Sequence, residues 1–284
     1  MNTHRAETST IVLPLDRRAS SAAILPIVRD VLDHTGATLH IVSADAPAPL
    51  AEALRPRCPG IDDLLRNAVF RPSTADVADD LVRIATERLS LCIVLPLYTD
   101  RPLDSGLGPT AEAVLRQMPC PVMLVPPNRE PRLWRLAQVV LPQDGTPETA
   151  RALAPAVRLA RRADANLLVL HVSGANTPPP ESPGSMTVPR YVDQPHHEWP
   201  AWADEFLDRV SGLAGEATDL DLRMFIAMGE PGAEIVRFAR EQGGDLIVLP
   251  WRGNLAPERA ATLKSVLRDA PCPLLVLSSD SLEG

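Results

Sequence analysis

Aromatic residues make up only 4% of this chain, and nowhere does it run for the roughly 18 apolar residues that a membrane-crossing helix needs. The N-terminus, Met1 to Thr10, is polar and lacks the apolar core of a leader peptide. A basic excess is missing too: 28 Lys and Arg stand against 36 Asp and Glu, for a net charge of −8 and a pI near 5.3. Phosphate-rich polymers call for a concentrated positive surface, so DNA and RNA are excluded as main partners. Cysteine is sparse: Cys58, Cys92, Cys120 and Cys272 form no C-x-x-C pair and stand at no zinc-ligand spacing from a histidine. They read as small buried hydrophobes in a reducing compartment. These absences predict a cytoplasmic protein with neither a membrane nor a nucleic acid as partner.

Hydrophobic residues at 45% and charged residues at 23% give an ordinary globular balance. The chain's 284 residues suffice for two domains, each able to bury a core. A repeat divides it accordingly. Pro119-Cys120-Pro121-Val122-Met123-Leu124-Val125 returns 152 positions later as Pro271-Cys272-Pro273-Leu274-Leu275-Val276-Leu277. Each copy follows an amphipathic segment containing Val-Leu-Arg, at Val114 and at Val266. The expected organisation is one domain over residues 1–128, a charged linker over 129–133, and a second domain over 134–284 with an extended loop at 173–200.

Within the first half, the apolar run Ile11 to Leu15 reads as a buried strand closed by Asp16, followed by a helix from about Ser20 to Thr35 that Gly36 stops. Thr38 to Ser43 is a second strand, Ala44 to Pro59 a loop with a short helix, and Ala68 to Phe70 a weak third strand. Val77, Leu81 and Ile84 mark a helix face. Cys92 to Pro96 is a fourth strand, a helix ends near Met118, and Val122 to Val125 is the fifth. The second half repeats this programme from Val139-Val140-Leu141-Pro142-Gln143-Asp144, where Asp144-Gly145-Thr146-Pro147 supplies a turn, an N-cap and a first-turn proline. A further helix carries Trp202, Phe206, Val210 and Leu213 on one face. Strand and helix alternate throughout, which calls for parallel sheets with helices on both faces, because parallel neighbours need crossover connections.

In such sheets a ligand sits outside the carboxyl ends of the strands, where strand order reverses. Asp16 and Asp144 lie there, as do the loops after Pro96 and Pro250, which run into helix N-termini suited to anions. Each carboxylate either accepts hydrogen bonds from a ribose hydroxyl or an adenine amine, or closes the turn and caps the next helix.

The combination of Val-Leu-Pro-x-Asp-Gly-Thr, Gly-Glu-Pro-Gly-Ala-Glu-Ile-Val, Asp-Leu-Ile-Val and Ala-Pro-Cys-Pro-Leu-Leu-Val resembles the universal stress protein family in its tandem form, over about Thr10 to Ser278, most closely in the second half. The resemblance implies an α/β fold of two tandem doubly wound domains, each a five-stranded parallel sheet of order 3-2-1-4-5. It also implies, for ATP-binding members, a motif G-x2-G-x9-G-[ST] after strand four, with the strand-one Asp near the nucleotide. In the first half those positions fall on Pro96, Thr99, Pro109 and Thr110; in the second they fall on Pro250, Gly253, Ala261 and Thr262 through a shorter loop. Glycines let backbone N–H groups approach phosphates, whereas proline removes a donor. The resemblance therefore assigns Asp16, Thr110, Asp144, Gly253 and Thr262 as the residues nearest an adenine nucleotide, with ordinary ATP binding lost or weak.

Arg17 and Arg18, and Arg252 beside Gly253, either attract phosphate or are solvated surface. His196-His197-Glu198, flanked by Pro195 and Pro200, is a poor metal cluster, and His40 and His171 read as satisfied structural residues. No G-x-S-x-G or Cys-His context supports a nucleophile. The expectation is a non-catalytic protein of stress response or regulation. The alternatives are an ATP- or AMP-binding switch that uses the second domain, and an adenine-nucleotide hydrolase or transferase, although the H-x-G-H and Ser-Gly-Gly runs of the latter are missing. In this family the last strand lies at the sheet edge, so Val122–Val125 and Leu274–Leu277 are expected to face each other in an internal pseudo-dimer, or to pair with a second copy.

Overall fold

The computed structural model describes residues 9–73, 76–97, 107–126, 134–144, 149, 151–173, 221–251 and 261–278. They fall into two compact units, one ending at Arg135 and the other beginning at Leu136.

In the first unit, strands β1 (Thr10–Pro14), β2 (Thr38–Ser43), β3 (Val69–Pro72), β4 (Cys92–Pro96) and β5 (Val122–Val125) alternate with helices α1 (Ala19–Thr35), α2 (Pro47–Leu54), α3 (Ile61–Arg66), α4 (Val77–Glu87) and α5 (Pro109–Gln117). Every pairing is parallel, and the neighbours run β3-β2-β1-β4-β5. Val12 pairs with His40 on one side and Ile93 on the other, which makes β1 the central strand. Ile11, Val12, Leu13, Ile93 and Val94 are fully buried. That is why these strands read as continuous apolar runs and not as alternating ones: helices cover both faces.

The second unit contains β6 (Gln138–Gln143), α6 (Leu153–Ala163), β7 (Asn166–Ser173), β8 (Leu222–Met228), α7 (Pro231–Glu241), β9 (Leu246–Trp251), α8 (Ala261–Asp269) and β10 (Leu274–Ser278). Its parallel neighbours run β8-β7-β6-β9-β10. Counted within each unit, both sheets have the expected order 3-2-1-4-5. The edge strand β8 is thinly covered, with Ile226 37% and Met228 73% exposed. On its other face Phe225 packs against Phe238 of α7, ring centroids 4.9 Å apart.

Two differences from the sequence reading stand out. Beyond α2, whose first residue is Pro47, the structure adds α3, a six-residue helix that follows directly on Gly60. The expected helix of Trp202 to Leu213, the turn over 145–148 and nearly all of the 173–200 loop lie outside the described residues. Among the described residues, no helix is long and apolar enough to cross a membrane.

The Gly-Glu-Pro-Gly motif has a mechanical explanation. Glu230 caps α7 by accepting from the N–H groups of Gly232 (3.0 Å) and Ala233 (2.6 Å), and Pro231 fills the first helical position, where no donor is needed. A Cβ on Gly232 would stand 2.4 Å from Ser265 of α8, so the two helices meet only because that atom is missing. In the first unit Asp76 is the corresponding cap, accepting from Ala78 at 2.7 Å.

Helix ends repeat as well. α1 stops at Gly36 (φ 62°) and α6 at Asp164 (φ 52°); Leu89 (φ 47°) follows α4 and Gly243 (φ 66°) follows α7. The left-handed conformation disfavours any Cβ, so each unit has glycine at one such position and a strained residue at the other. Leu89 is also 78% exposed and has little burial to offset the strain. Leu89→Gly is therefore expected to stabilise the chain by about 1 kcal/mol, read as a higher urea midpoint, and Gly243→Leu to lower it.

Candidate functional site

At each carboxyl edge, hydrogen bonds hold the chain as it leaves the central strand. In the first unit the Leu15 N–H donates to the Val42 carbonyl at 3.0 Å, which holds the chain beside β2 before it turns. Asp16 follows, and its Oδ1 accepts from the Ser21 hydroxyl at 2.5 Å and from the Arg18 N–H at 2.9 Å. In the second unit Asp144 Oδ1 accepts from the Thr149 hydroxyl at 2.8 Å. Asp16 and Asp144 are 128 positions apart, and so are Ser21 and Thr149. The turn-closing role is thus filled at both carboxylates, while the Asp16 side chain stays 37% exposed at the edge. Arg17 reaches across the same edge to Asp45, 2.5 Å away, beyond the end of β2.

Thr110 is the second residue of α5 and Thr262 the second of α8, both half-buried. Each helix follows the strand beside the central one, so Asp16 and Thr110 belong to one carboxyl edge and Asp144 and Thr262 to another. Pro96 and Pro250, at the first motif positions, lie inside β4 and β9. Gly253, Arg252 and Thr99 lie outside the described residues, as do His196, His197 and Glu198. Among the described residues, no group of three His, Cys, Asp or Glu side chains could hold a metal ion.

Sequence reasoning passed over a polar cluster beside Asp144. Gln143, buried at the end of β6, donates through Nε2 to the Thr149 carbonyl at 2.7 Å, and its Oε1 is buried with no hydrogen-bond partner among the described residues. His171 is its register partner on β7. Burial pushes the His171 pKa down, against the pull of Asp144 and a hydrogen bond to the Gln143 backbone. Spacing was the missed signal: at the 128-residue offset His171 corresponds to Ser43, also at the end of its strand, and Gln143 corresponds to Leu15.

His40 differs from its expected role as a satisfied structural residue. Its Nδ1 is buried without a partner among the described residues, and burial lowers its pKa, with Arg71 and Arg88 adding to the effect. The four thiols are buried, and burial pushes Cys92 up to about 12. A thiol so far from ionisation is an inert core residue.

These features define an open, doubly wound α/β protein with a hydroxyl-braced carboxylate at the end of each central strand. The model of the universal stress protein family matches residues 137–278, which is half of the chain. The chain belongs to the universal stress protein family. It is 28% identical over 148 residues to a candidate universal stress protein of Staphylococcus aureus (strain USA300), covering 51% of this chain and 85% of the relative. Among solved structures, a universal stress protein from Archaeoglobus fulgidus DSM 4304 is similar with a TM-score of 0.64 at 16% identity, over 95% of this chain and 96% of that one. A functionally unknown protein from Pseudomonas aeruginosa PAO1 has the same TM-score at 18% identity, over 97% and 94%. At such identities the likeness is one of fold, and it extends over both units.

Because both buried rings are held below the ordinary histidine value of 6.5, the unfolded chain binds more protons than the folded one just below that pH. Stability from this source is complete at about pH 7.5 and is lost as the pH falls through 6.5 and the lowered folded values. His40→Leu, which installs the residue found at the equivalent position 168, is expected to flatten the acid limb of a urea-midpoint profile between about pH 7.5 and pH 5.5.

Proposed function

We propose that the chain is a tandem universal stress protein, with domains at 1–128 and 134–284 joined by the linker 129–133. It acts in the cytoplasm, in stress response or regulation, without catalysing a reaction, and its ordinary ATP binding is lost or weak. The observation that carries this reading is the replacement of motif glycines on both carboxyl edges: Pro96, Pro109, Pro250 and Ala261 stand at described positions where a phosphate loop needs bare backbone. The engagement of Asp16 and Asp144 by Ser21 and Thr149 supports it, since those carboxylates already have a structural task. Assembly through the last strand of each unit belongs to the same proposal, because an apolar sheet edge calls for a covering strand.

A second reading is a nucleotide-binding switch in the second unit, with Asp144, Gly253 and Thr262 nearest an ATP or AMP ligand. The buried Gln143 Oε1 beside Asp144, without a partner among the described residues, favours that unit over the first, where Leu15 takes its place. An adenine-nucleotide hydrolase or transferase is a weaker third reading, for which the sequence supplies no nucleophile.

A thermal-shift titration with ATP and Mg²⁺ separates the first two readings. Little or no stabilisation is expected, whereas a ligand at about 100 times its Kd would add roughly 2.7 kcal/mol. A saturable shift of several degrees that Asp144→Ala removes would replace the first reading by the second. Release of ADP or pyrophosphate above a no-protein control would support the third.

A further inference from the structure

At the amino end of β2, on the edge of the first unit away from Asp16, a cavity of about 410 Å³ opens between α1 and α3. Three leucines line it: Leu32, half-buried, and Leu39 and Leu64, both buried. Its polar lining comes from Arg29 and Asp33 of α1, Asp63 of α3 and Asn67 at the end of α3. The volume falls within the range of small-molecule sites, and the lining sets leucines beside charged and amide side chains.

The charges of Arg29 and Asp33 are not spent on each other. Arg29 and Asp33 stand one turn apart on α1, at the spacing that pairs opposite charges on a helix surface. Arg29 instead turns one arm of its guanidinium to the Gly60 carbonyl at 3.1 Å, which fixes the group and leaves other N–H donors available. Asp33 forms no ion pair or side-chain hydrogen bond among the described residues, whereas Asp63, also at the cavity, is held by Arg66 at 2.8 Å. At the 128-residue offset the second unit has Val157 and Arg161 in place of Arg29 and Asp33, so this combination belongs to the first unit alone.

We propose that this cavity binds a small zwitterion with an apolar tail, of the amino-acid class. The Arg29 fork receives the carboxylate, Asp33 receives the ammonium, and the tail lies against Leu32, the half-buried leucine of the lining. Side chains one helical turn apart begin about 5–6 Å from each other. That separation suits two charges borne on a single carbon and not the distant termini of a longer peptide. The site is independent of the nucleotide reading, since it shares no residue with either carboxyl edge.

The test is isothermal titration of the full chain with L-leucine, L-leucinamide, 4-methylpentanoate and glycine. Saturable binding of leucine is expected below about 10 mM, with the other three at least about tenfold weaker because each lacks the carboxylate, the ammonium or the tail. Arg29→Ala and Asp33→Asn are each expected to weaken leucine binding at least about tenfold while leaving the circular dichroism spectrum unchanged. Asp144→Ala leaves it intact, which keeps this outcome apart from that of the ATP titration. Absence of saturable binding, equal binding of leucine and 4-methylpentanoate, or indifference to both substitutions would overturn the proposal.

Discussion

Two parallel strands cannot be joined by a tight turn, and most of this molecule follows from that constraint. After each strand the chain must turn at the carboxyl edge, return along a helix, and turn again at the amino edge. The two edges therefore make opposite demands. At the carboxyl edge helices begin, and their free N–H groups draw carboxylates: Asp16, Asp76 and Glu230 each accept backbone donors there. At the amino edge helices must stop abruptly, and Gly36, Leu89, Asp164 and Gly243 adopt the left-handed conformation two or three residues before a strand starts.

The two units satisfy these demands with different residues. Where the first has Ser21 bracing Asp16, the second has Thr149 bracing Asp144. Where α7 and α8 approach through Gly232 and Ser265, the corresponding positions of α4 and α5 carry Ala78 and Ala113. Ser90 stands where the second unit has Gly244, and its hydroxyl is buried without a partner among the described residues. The backbone programme is thus more constant than the side chains that fulfil it, as a fold set by crossover geometry requires.

Much of this was legible in the sequence because burial on both faces writes strands as apolar runs, as in Ile11 to Leu15 and Leu246 to Leu249. Asp16 and Asp144 were legible for the same reason, each being the first charge after such a run. Helix stops were legible at Gly36 but not at Leu89 or Asp164, since residue type does not announce a positive φ when glycine is absent. α3 was hidden by its six-residue length, too short to show a periodicity. His171 was hidden by comparison with the other histidine, His40, when its positional counterpart is a serine. The hydroxyls of Ser21 and Thr149 gave no local signal at all; only the constant spacing between the halves reveals them.

The edge strand β8 has a chemical consequence. All four thiols lie in protein interiors, and burial raises the pKa of Cys58, Cys92 and Cys120. Met228 holds its thioether at the rim of β8, 73% exposed. A sulfoxide at Met228 would place its added oxygen at the sheet margin, where no core packing is disturbed.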